Sequence, residues 1–446
     1  MSKEESCTGG LLQLAVPLIL SNLAYTLLGT LDTIFMGRVG IIELGAVGVA
    51  SALFLAVGVF LRGTVGAVMV VVAHSLGAGD KKRARRAFQH AIVLALLLSP
   101  LSLLVPKLFR VLFALVKPGK NVRSLALTYV AIRSWELPLG LVSKAISGFM
   151  LGAGDSRVPM FVSWVTVGVN MAANYVLVFG KLGFPALGLA GAAWGTVISH
   201  LVQTILYAAF VFGLYDQTFQ LTRDFHFPNG REIKAMLRLG VPMGMAVSTD
   251  LTAFGIFMTL IARLGTVELA ASQVASQLND LAFMPAFAIG SATSSLVGRS
   301  LGEQNPRRAK EYGLAGLRVG MVMMGLLAAG YALCPQVFVL PFTKDVQVRA
   351  LSCRLLKMVA LYQVLDVIHL VFAGVLNGAG RTRFTGGVTL VCASIVFIPA
   401  AYLGAFVLGL GVWGAWAGPI IYVLCLVIIF GLCFRRGSWQ AGWAPG

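Results

Sequence analysis

Three carboxylates stand inside long apolar runs of the sequence, where a charged side chain is costly. Asp32 lies in TLLGTLDTIFMG, Asp250 in GMAVSTDLTAFG and Asp366 in LYQVLDVIHLV. A charge at the centre of a bilayer costs at least about 2.5–3.5 kcal/mol, so an acid at that depth is a functional candidate. An unpaired carboxylate held out of water is neutralised by a proton or by a bound cation. The three positions therefore predict sites that bind and release cations.

Neutral polar residues accompany these acids at helical spacing. Tyr362 precedes Asp366 by one helical turn and shares its face. Two further groups line apolar segments: Asn170, Asn174 and Thr196 in the first half of the chain, and Gln273, Gln277 and Asp280 in the second. Ordinary hydrogen bonding between helices is the alternative interpretation of each group. The sequence leaves both interpretations open.

Arg62 lies deep in an apolar run that contains no acid of its own. Its side chain could reach the membrane interface, pair with Asp32 or Glu136, or face an anionic substrate. These alternatives stay open at the level of sequence.

The elements that must position these side chains follow from hydropathy. Of the 446 residues, 58% are hydrophobic and 12% are charged, and the mean hydropathy is +0.86. Soluble domains have about 45–50% apolar and about 25% charged residues, so the chain is predicted to be an all-α integral membrane protein. A window of about 20 apolar residues predicts about a dozen spans. They lie near 12–37, 45–74, 88–114, 124–151, 158–180, 187–214, 236–262, 267–298, 313–340, 347–378, 384–408 and 412–433.

The two halves of the chain repeat each other. RVGIIELGAVGVAS at 38–51 matches RLGTVELAASQVAS at 263–276, and SLGAGDKKRA at 75–84 matches SLGEQNPRRA at 300–309, both at an offset of 225. We therefore expect an N-terminal lobe over 1–214, a cytoplasmic linker over 215–235 and a C-terminal lobe over 236–446. Each lobe holds six helices, which makes the repeat parallel and leaves a central cleft.

The mid-span acids do not obey this repeat. At the offset of 225, Asp32 corresponds to Phe257 and Asp250 to Tyr25. A residue needed only for the shared fold should occur in both halves. The mismatch therefore favours a functional role for the acids.

The net charge of +18 comes from basic clusters between the apolar runs. The more basic set of loops includes 81–86, 307–310 and 435–436, so these loops and both termini are predicted to be cytoplasmic. With no soluble domain to bind it, nucleic acid is not an expected partner. No metal cluster, nucleophile triad or phosphate loop is recognisable, so neither an enzyme nor a cofactor is predicted.

Several motifs together resemble one transporter family. The first span has Pro17 followed by Asp32, Thr33 and Gly37; the fifth span reads VNMAANYVLVFGKLG. The seventh has Gly240, Pro242 and Asp250, and the tenth has YQVLD beginning at Tyr362. In these motifs the sequence resembles the multidrug and toxic compound extrusion (MATE) family, NorM-like branch, over essentially its whole length.

The resemblance implies twelve helices in two lobes around a V-shaped cleft, and an antiporter that exports organic cations or amphipathic drugs in exchange for Na⁺ or H⁺. It implies that Asp32 is the coupling acid of the first lobe, near Asn170, Asn174 and Thr196. It also implies a cation site, with Na⁺ possible, at Asp250, Tyr362 and Asp366. Two departures are Asp250, where NorM-like proteins usually have Glu, and the additional acid Asp280.

Two other functions remain as alternatives. A lipid-linked sugar or lipid flippase would need a basic cleft for a diphosphate, and only Arg62 and Lys144 favour it. A receptor or scaffold without transport would not explain the unsymmetrical acids. We expect a monomer in the plasma membrane, with membrane lipids as its surroundings.

Overall fold

The computed structural model describes residues 7–116, 120–222 and 225–441, most of which are helical. Contacts divide the chain into two compact units. The N-terminal unit is Leu20–Gly244, and the C-terminal unit combines Met1–Ile19 with Met245–Gly446. The predicted linker, 215–235, contains a short helix and the first turns of a long one. The surroundings of Thr33 and Gly37, named in the first motif, lie outside the described part of the structure.

Ten helices begin in the first half of the described chain. They are α1 (Cys7–Val39), α2 (Ile41–Gly66), α3 (Val68–Gly77), α4 (Lys81–Leu98), α5 (Val105–Val116), α6 (Lys120–Arg133), α7 (Glu136–Gly152), α8 (Arg157–Phe179), α9 (Leu189–Phe210) and α10 (Asp216–Phe219). A 3₁₀ segment, Ser99–Leu104, joins α4 to α5, and a π-helical turn, Val211–Tyr215, joins α9 to α10.

Eight helices follow in the second half. They are α11 (Gly230–Ala262), α12 (Thr266–Gly302), α13 (Pro306–Leu333), α14 (Pro335–Val339), α15 (Val346–Gly378), α16 (Thr382–Cys392), α17 (Ile398–Tyr402) and α18 (Gly411–Arg436). Two π-helical turns, Ala393–Phe397 and Leu403–Val407, flank α17, so that α16 to α17 form one continuous rod. A 3₁₀ turn, Ser438–Ala441, follows α18.

Twelve segments of the described residues are long and apolar enough to cross a membrane. They range from Cys7–Asp32 to Gly411–Arg436, with mean hydropathies between 1.2 and 2.6. This number confirms the predicted dozen spans and the all-α membrane class. Many leucines, phenylalanines and tryptophans on these helices are exposed, as lipid-facing side chains must be.

Small residues bring the helices of each unit close together. In the C-terminal unit, a Cβ at Gly374 of α15 would lie 2.2 Å from the carbonyl oxygen of Gly290 in α12. One turn further, a Cβ at Gly378 would lie 2.4 Å from the carbonyl oxygen of Ser294. Backbone therefore packs directly on backbone, which only glycine permits. This contact fixes α15, the helix that carries Tyr362 and Asp366.

Glycines set the spacing of α8 and α9 in the N-terminal unit as well. Gly191 of α9 lies against the backbone of α8, and a Cβ there would be 2.5 Å from the carbonyl oxygen of Leu177. Gly195, one turn later, would place a Cβ only 2.1 Å from Oδ1 of Asn174. The small-xxx-small spacing of these glycines thus makes room for one of the polar side chains predicted from the sequence.

Candidate functional site

Asp32 of α1 is buried in the N-terminal unit, with 7% of its surface exposed. The amide Nδ2 of Asn174 donates to its Oδ1 at 2.6 Å, and the hydroxyl of Thr196 donates to its Oδ2 at 3.3 Å. The same Nδ2 also donates to Oδ1 of Asn170 at 3.1 Å. Three helices, α1, α8 and α9, therefore converge on one carboxylate through neutral donors.

The polar atoms around Asp32 are not fully satisfied. Oδ1 of Asn174 and Nδ2 of Asn170 are buried and have no hydrogen-bond partner among the described residues. Buried polar groups are normally paired, and each unpaired one costs about 1–3 kcal/mol. Carboxylate, amide and hydroxyl oxygens are the ligands of hard cations. The oxygen atoms of this cluster suit a Na⁺ ion, and the carboxylate alone suits a proton.

A second buried acid of the N-terminal unit, Glu136, neutralises two arginines. Its Oε2 accepts from Nε and Nη2 of Arg133 at 2.8 and 2.5 Å, and its Oε1 pairs with Nη2 of Arg62. His200 approaches the same Oε1 at 3.3 Å through Nε2. Of the alternatives left open for Arg62, the structure therefore selects pairing with Glu136. Arg133 lies within electrostatic range of Asp32, so its charge reaches the first acid too.

Helices α7 and α2 each present a glycine and a basic residue, four positions apart, to the other: Gly140 and Lys144 on α7, and Arg62 and Gly66 on α2. Gly140 receives the guanidinium of Arg62, whose Nε would lie 2.9 Å from a Cβ at that position. In return, Gly66 of α2 receives Lys144, whose Cε would lie 3.0 Å from a Cβ there. Each cation thus lies on a glycine of the opposite helix. Lys144 forms no ion pair with a carboxylate of the described residues.

In the C-terminal unit, Asp250 of α11 binds a residue that the sequence did not single out. The hydroxyl of Tyr422, on α18, donates to its Oδ1 at 2.5 Å. Tyr422 also stacks on Phe397, with ring centroids 5.4 Å apart. In the sequence Tyr422 is only one tyrosine inside an apolar run, and no helical spacing links it to Asp250. The side chains of Asp366 and His369 lie within electrostatic range of Asp250.

Asp366 of α15 is buried and has one hydrogen-bonded oxygen. Its Oδ1 lies 3.2 Å from Nδ1 of His369, whose ring stacks on Phe430. Its Oδ2 is buried and has no partner among the residues that the structure describes. Gln363, three residues before it, donates to Oδ1 of Asn279 on α12 at 2.6 Å. His369 is therefore a direct neighbour of this acid.

Tyr362 and Asp280, also predicted from the sequence, differ in how closely they are associated with these two acids. Tyr362 is within electrostatic range of Asp366, Asp250 and Asp280, but no hydrogen bond joins its hydroxyl to any of them. Asp280 is exposed on α12, on the same face as Gln273 and Gln277, which are exposed too. The structure thus brings Asp250, Asp366 and Tyr362 into one neighbourhood, with Asp280 at its edge.

Comparison with known proteins identifies the family of this chain. The family model described as MatE matches residues 17–176 and 242–403, which is more than half of the chain. The chain belongs to the MatE family. The MATE resemblance inferred from the motifs is thereby confirmed. The NorM and MdtK relatives described next confirm its NorM-like branch.

Similar MATE relatives extend over almost the full chain. The multidrug resistance protein NorM of Vibrio cholerae is 28% identical over 443 residues, which cover 97% of this chain and 96% of the relative. The probable multidrug resistance protein NorM of Thermotoga maritima is 28% identical over 442 residues, covering 96% and 92%. The multidrug resistance protein MdtK of Photorhabdus laumondii is 28% identical over 438 residues, covering 96% and 94%.

Solved transporter structures share the fold. An outward-facing multidrug resistance MATE transporter of the MOP superfamily superposes with a TM-score of 0.90 at 21% identity, covering 98% of this chain and 97% of that one. A MOP superfamily transporter from Pyrococcus furiosus superposes with a TM-score of 0.88, also at 21% identity, with coverage of 98% and 97%. With this family and twelve apolar segments of membrane-spanning length among the described residues, the chain is a multi-pass membrane protein.

Proposed function

We propose that this MATE protein is a secondary active antiporter that exports organic cations or amphipathic drugs in exchange for Na⁺ or H⁺. The observation that supports the exchange most directly is Asp32, a buried carboxylate whose hydrogen bonds from the described residues come from the neutral donors Asn174 and Thr196. Such a group favours any cation that can reach it. The names of the NorM and MdtK relatives, multidrug resistance proteins, support drugs as the substrates.

Competition between two cations for the same acids would couple their movements. The proton or Na⁺ that binds at Asp32, or at Asp250 and Asp366, would displace the organic cation from the carboxylate. Coupling then equals the difference in ion affinity between the states open to the two sides of the membrane. The buried Oδ2 of Asp366, with no partner among the described residues, is an available ligand for such an ion.

The C-terminal acids favour a cation site with more than one carboxylate. Two acids within electrostatic range repel each other when both are charged, and a bound Na⁺ or proton relieves that repulsion. We propose Asp250, Asp366 and Tyr362 for this site, as the family resemblance implies. Tyr422 joins them because its hydroxyl orients Asp250.

Dye efflux from vesicles tests the function and identifies the ion. Purified protein would be reconstituted, ethidium loaded, and a Na⁺ gradient or a pH gradient imposed separately. Accelerated efflux under one gradient is the expected result and names the coupling ion. If neither gradient moves the dye while the protein is inserted and folded, the antiporter proposal is wrong. Movement of a pyrophosphate-linked lipid in the same vesicles would instead support a flippase.

We also propose that both termini face the cytoplasm and that the chain acts as a monomer in the plasma membrane. The basic loops support this orientation, since cytoplasmic loops carry the excess of Lys and Arg. Reporter domains fused to each end, one active only in the cytoplasm and one only outside, test the orientation. Light scattering of the purified protein tests the oligomeric state.

A further inference from the structure

Two histidines and a glutamate meet in the N-terminal unit, apart from the mid-span acids. His90 lies on α4, His226 in the segment between α10 and α11, and Glu232 in the first turn of α11. Their ligand atoms all lie within 4.8 Å of one another. Nε2 of His90 is 3.8 Å, and Nε2 of His226 is 3.9 Å, from the same Oε2 of Glu232. One carboxylate oxygen therefore faces two imidazole nitrogens.

Gln89 holds the segment that carries His226. Its Nε2 donates to the carbonyl oxygen of Leu221 at 3.0 Å, and its Oε1 accepts from the backbone N–H of His226 at 3.2 Å. Gln89 is buried, so these bonds are shielded from water. One side chain of α4 thus fixes two points of the segment, and the His226 ring lies 5.9 Å from the ring of the neighbouring His90.

Glu232 is held in place by the start of α11. Oδ1 of Asn229 accepts from the backbone N–H groups of Arg231 and Glu232, both at 3.0 Å. In return, Oε2 of Glu232 accepts from the backbone N–H of Asn229 at 2.8 Å. This reciprocal arrangement is a capping box, which restricts the glutamate side chain to one direction. That direction is toward the two histidines.

The buried ring nitrogen Nε2 of His90 has no hydrogen-bond partner among the described residues. An unpaired buried polar group costs about 1–3 kcal/mol, and a coordinated ion would remove that cost. Two imidazoles and a carboxylate are a donor set that Zn²⁺ and related transition metals favour. Metal–ligand bonds of about 2.0–2.1 Å in a tetrahedral site separate donors by about 3.3 Å, so a small approach of the three side chains suffices.

We propose that His90, His226 and Glu232 form a binding site for a first-row transition-metal ion, with Zn²⁺ as the expected occupant. The bound ion ties the segment before α11 to α4. Arg86, one turn before His90, acts electrostatically on that histidine and opposes a cation, so the affinity is expected to be moderate. This site is separate from the proposed transport acids and does not depend on them.

Zinc binding by the full-length protein tests the proposal. The tag-free protein, stripped with EDTA in detergent, would be titrated with ZnCl₂ in a calorimeter, without substrate or ion gradient. The wild type should bind about one equivalent, and His226→Ala and Glu232→Gln should each weaken binding by about 10-fold or more. Glutamine keeps the capping box, because Gln serves as well as Glu there. His226 is half exposed, so its loss should not disturb the fold.

Two controls separate this site from other zinc ligands. His74→Ala, outside the cluster, should bind zinc as the wild type does. Because the chain has free cysteines, Co²⁺ would replace Zn²⁺, and its spectrum should lack a sulfur-to-metal charge-transfer band. Wild-type affinity in both cluster variants, or a charge-transfer band that a cysteine substitution removes, would overturn the proposal.

Discussion

Asn174 donates a 2.6 Å hydrogen bond to Asp32 although 142 positions separate the two residues in the chain. The bond joins α8 to α1 at the buried carboxylate that we propose as a coupling group. Among the described residues no cationic side chain forms an ion pair with Asp32, and Arg133 is bound to Glu136 instead.

Asp32→Asn should abolish drug efflux while membrane insertion and folding stay normal. Asparagine keeps the size and an acceptor oxygen, but it can no longer exchange one cation for another. Ethidium efflux from vesicles under the active gradient measures the effect, and we expect at least a 10-fold loss, about 1.4 kcal/mol or more. Asp80→Asn is the matched control, because Asp80 is an exposed helix cap and asparagine caps equally well. Efflux at the wild-type rate would remove Asp32 from the mechanism.

Tyr422→Phe should weaken ion coupling more than Tyr362→Phe does. The Tyr422 hydroxyl orients the Asp250 carboxylate, whereas no described hydrogen bond joins the Tyr362 hydroxyl to an acid. A hydrogen bond to a charged group is worth about 1.5–3 kcal/mol, so the half-saturating concentration of the coupling ion should rise about 10-fold or more. Efflux rates over a series of Na⁺ concentrations and pH values check this. Equal effects of the two variants would contradict it.

Glu136→Gln should strongly destabilise the protein. The substitution leaves the guanidinium groups of Arg62 and Arg133 in a buried site without their counter-charge. Removing one partner of a buried ion pair costs about 3–5 kcal/mol. Thermal unfolding in detergent, followed by intrinsic fluorescence, measures the loss. Glu311→Gln, which removes an exposed partner of Arg307, should cost at most about 1 kcal/mol. If both variants unfold at the same temperature, the buried network does not stabilise the fold as described.

Gly374→Ala should destabilise the C-terminal unit, whereas Gly325→Ala should not. The added methyl group at Gly374 would meet the carbonyl oxygen of Gly290 at 2.2 Å, but nothing lies within 4 Å of a Cβ at Gly325. The first change must push α15 away from α12; the second should stabilise α13 by up to about 1 kcal/mol, because alanine favours a helix over glycine. The same unfolding assay compares them. A tolerated Gly374→Ala would disprove direct backbone packing at this crossing.

The fold could be predicted from the sequence because the membrane makes hydropathy a direct signal. An apolar run of bilayer length must be a helix, so the twelve spans followed without any knowledge of contacts. Pairing partners are different, since they depend on how helices are rotated and stacked. Arg62 and Glu136 lie 74 positions apart on different helices, and periodicity could not choose between Glu136 and Asp32.

The candidate site likewise contains residues that the sequence could identify and one that it could not. Asp32, Asp250 and Asp366 could be found because a carboxylate is conspicuous in an apolar run. Tyr422 could not, because tyrosine is common in membrane helices and its hydroxyl becomes significant only when α18 brings it to Asp250. The functional roles of these residues remain predictions that the variants above test.

The glycine crossing of α12 and α15 also has a mechanical meaning. Sliding one helix along the other by a single residue would drive a side chain into the carbonyl group of Gly290 or Leu370, so we expect the two helices to move as one rigid body. Asp280 lies on α12 and Asp366 lies on α15. Any rearrangement that carries one of these carboxylates must carry the other with it.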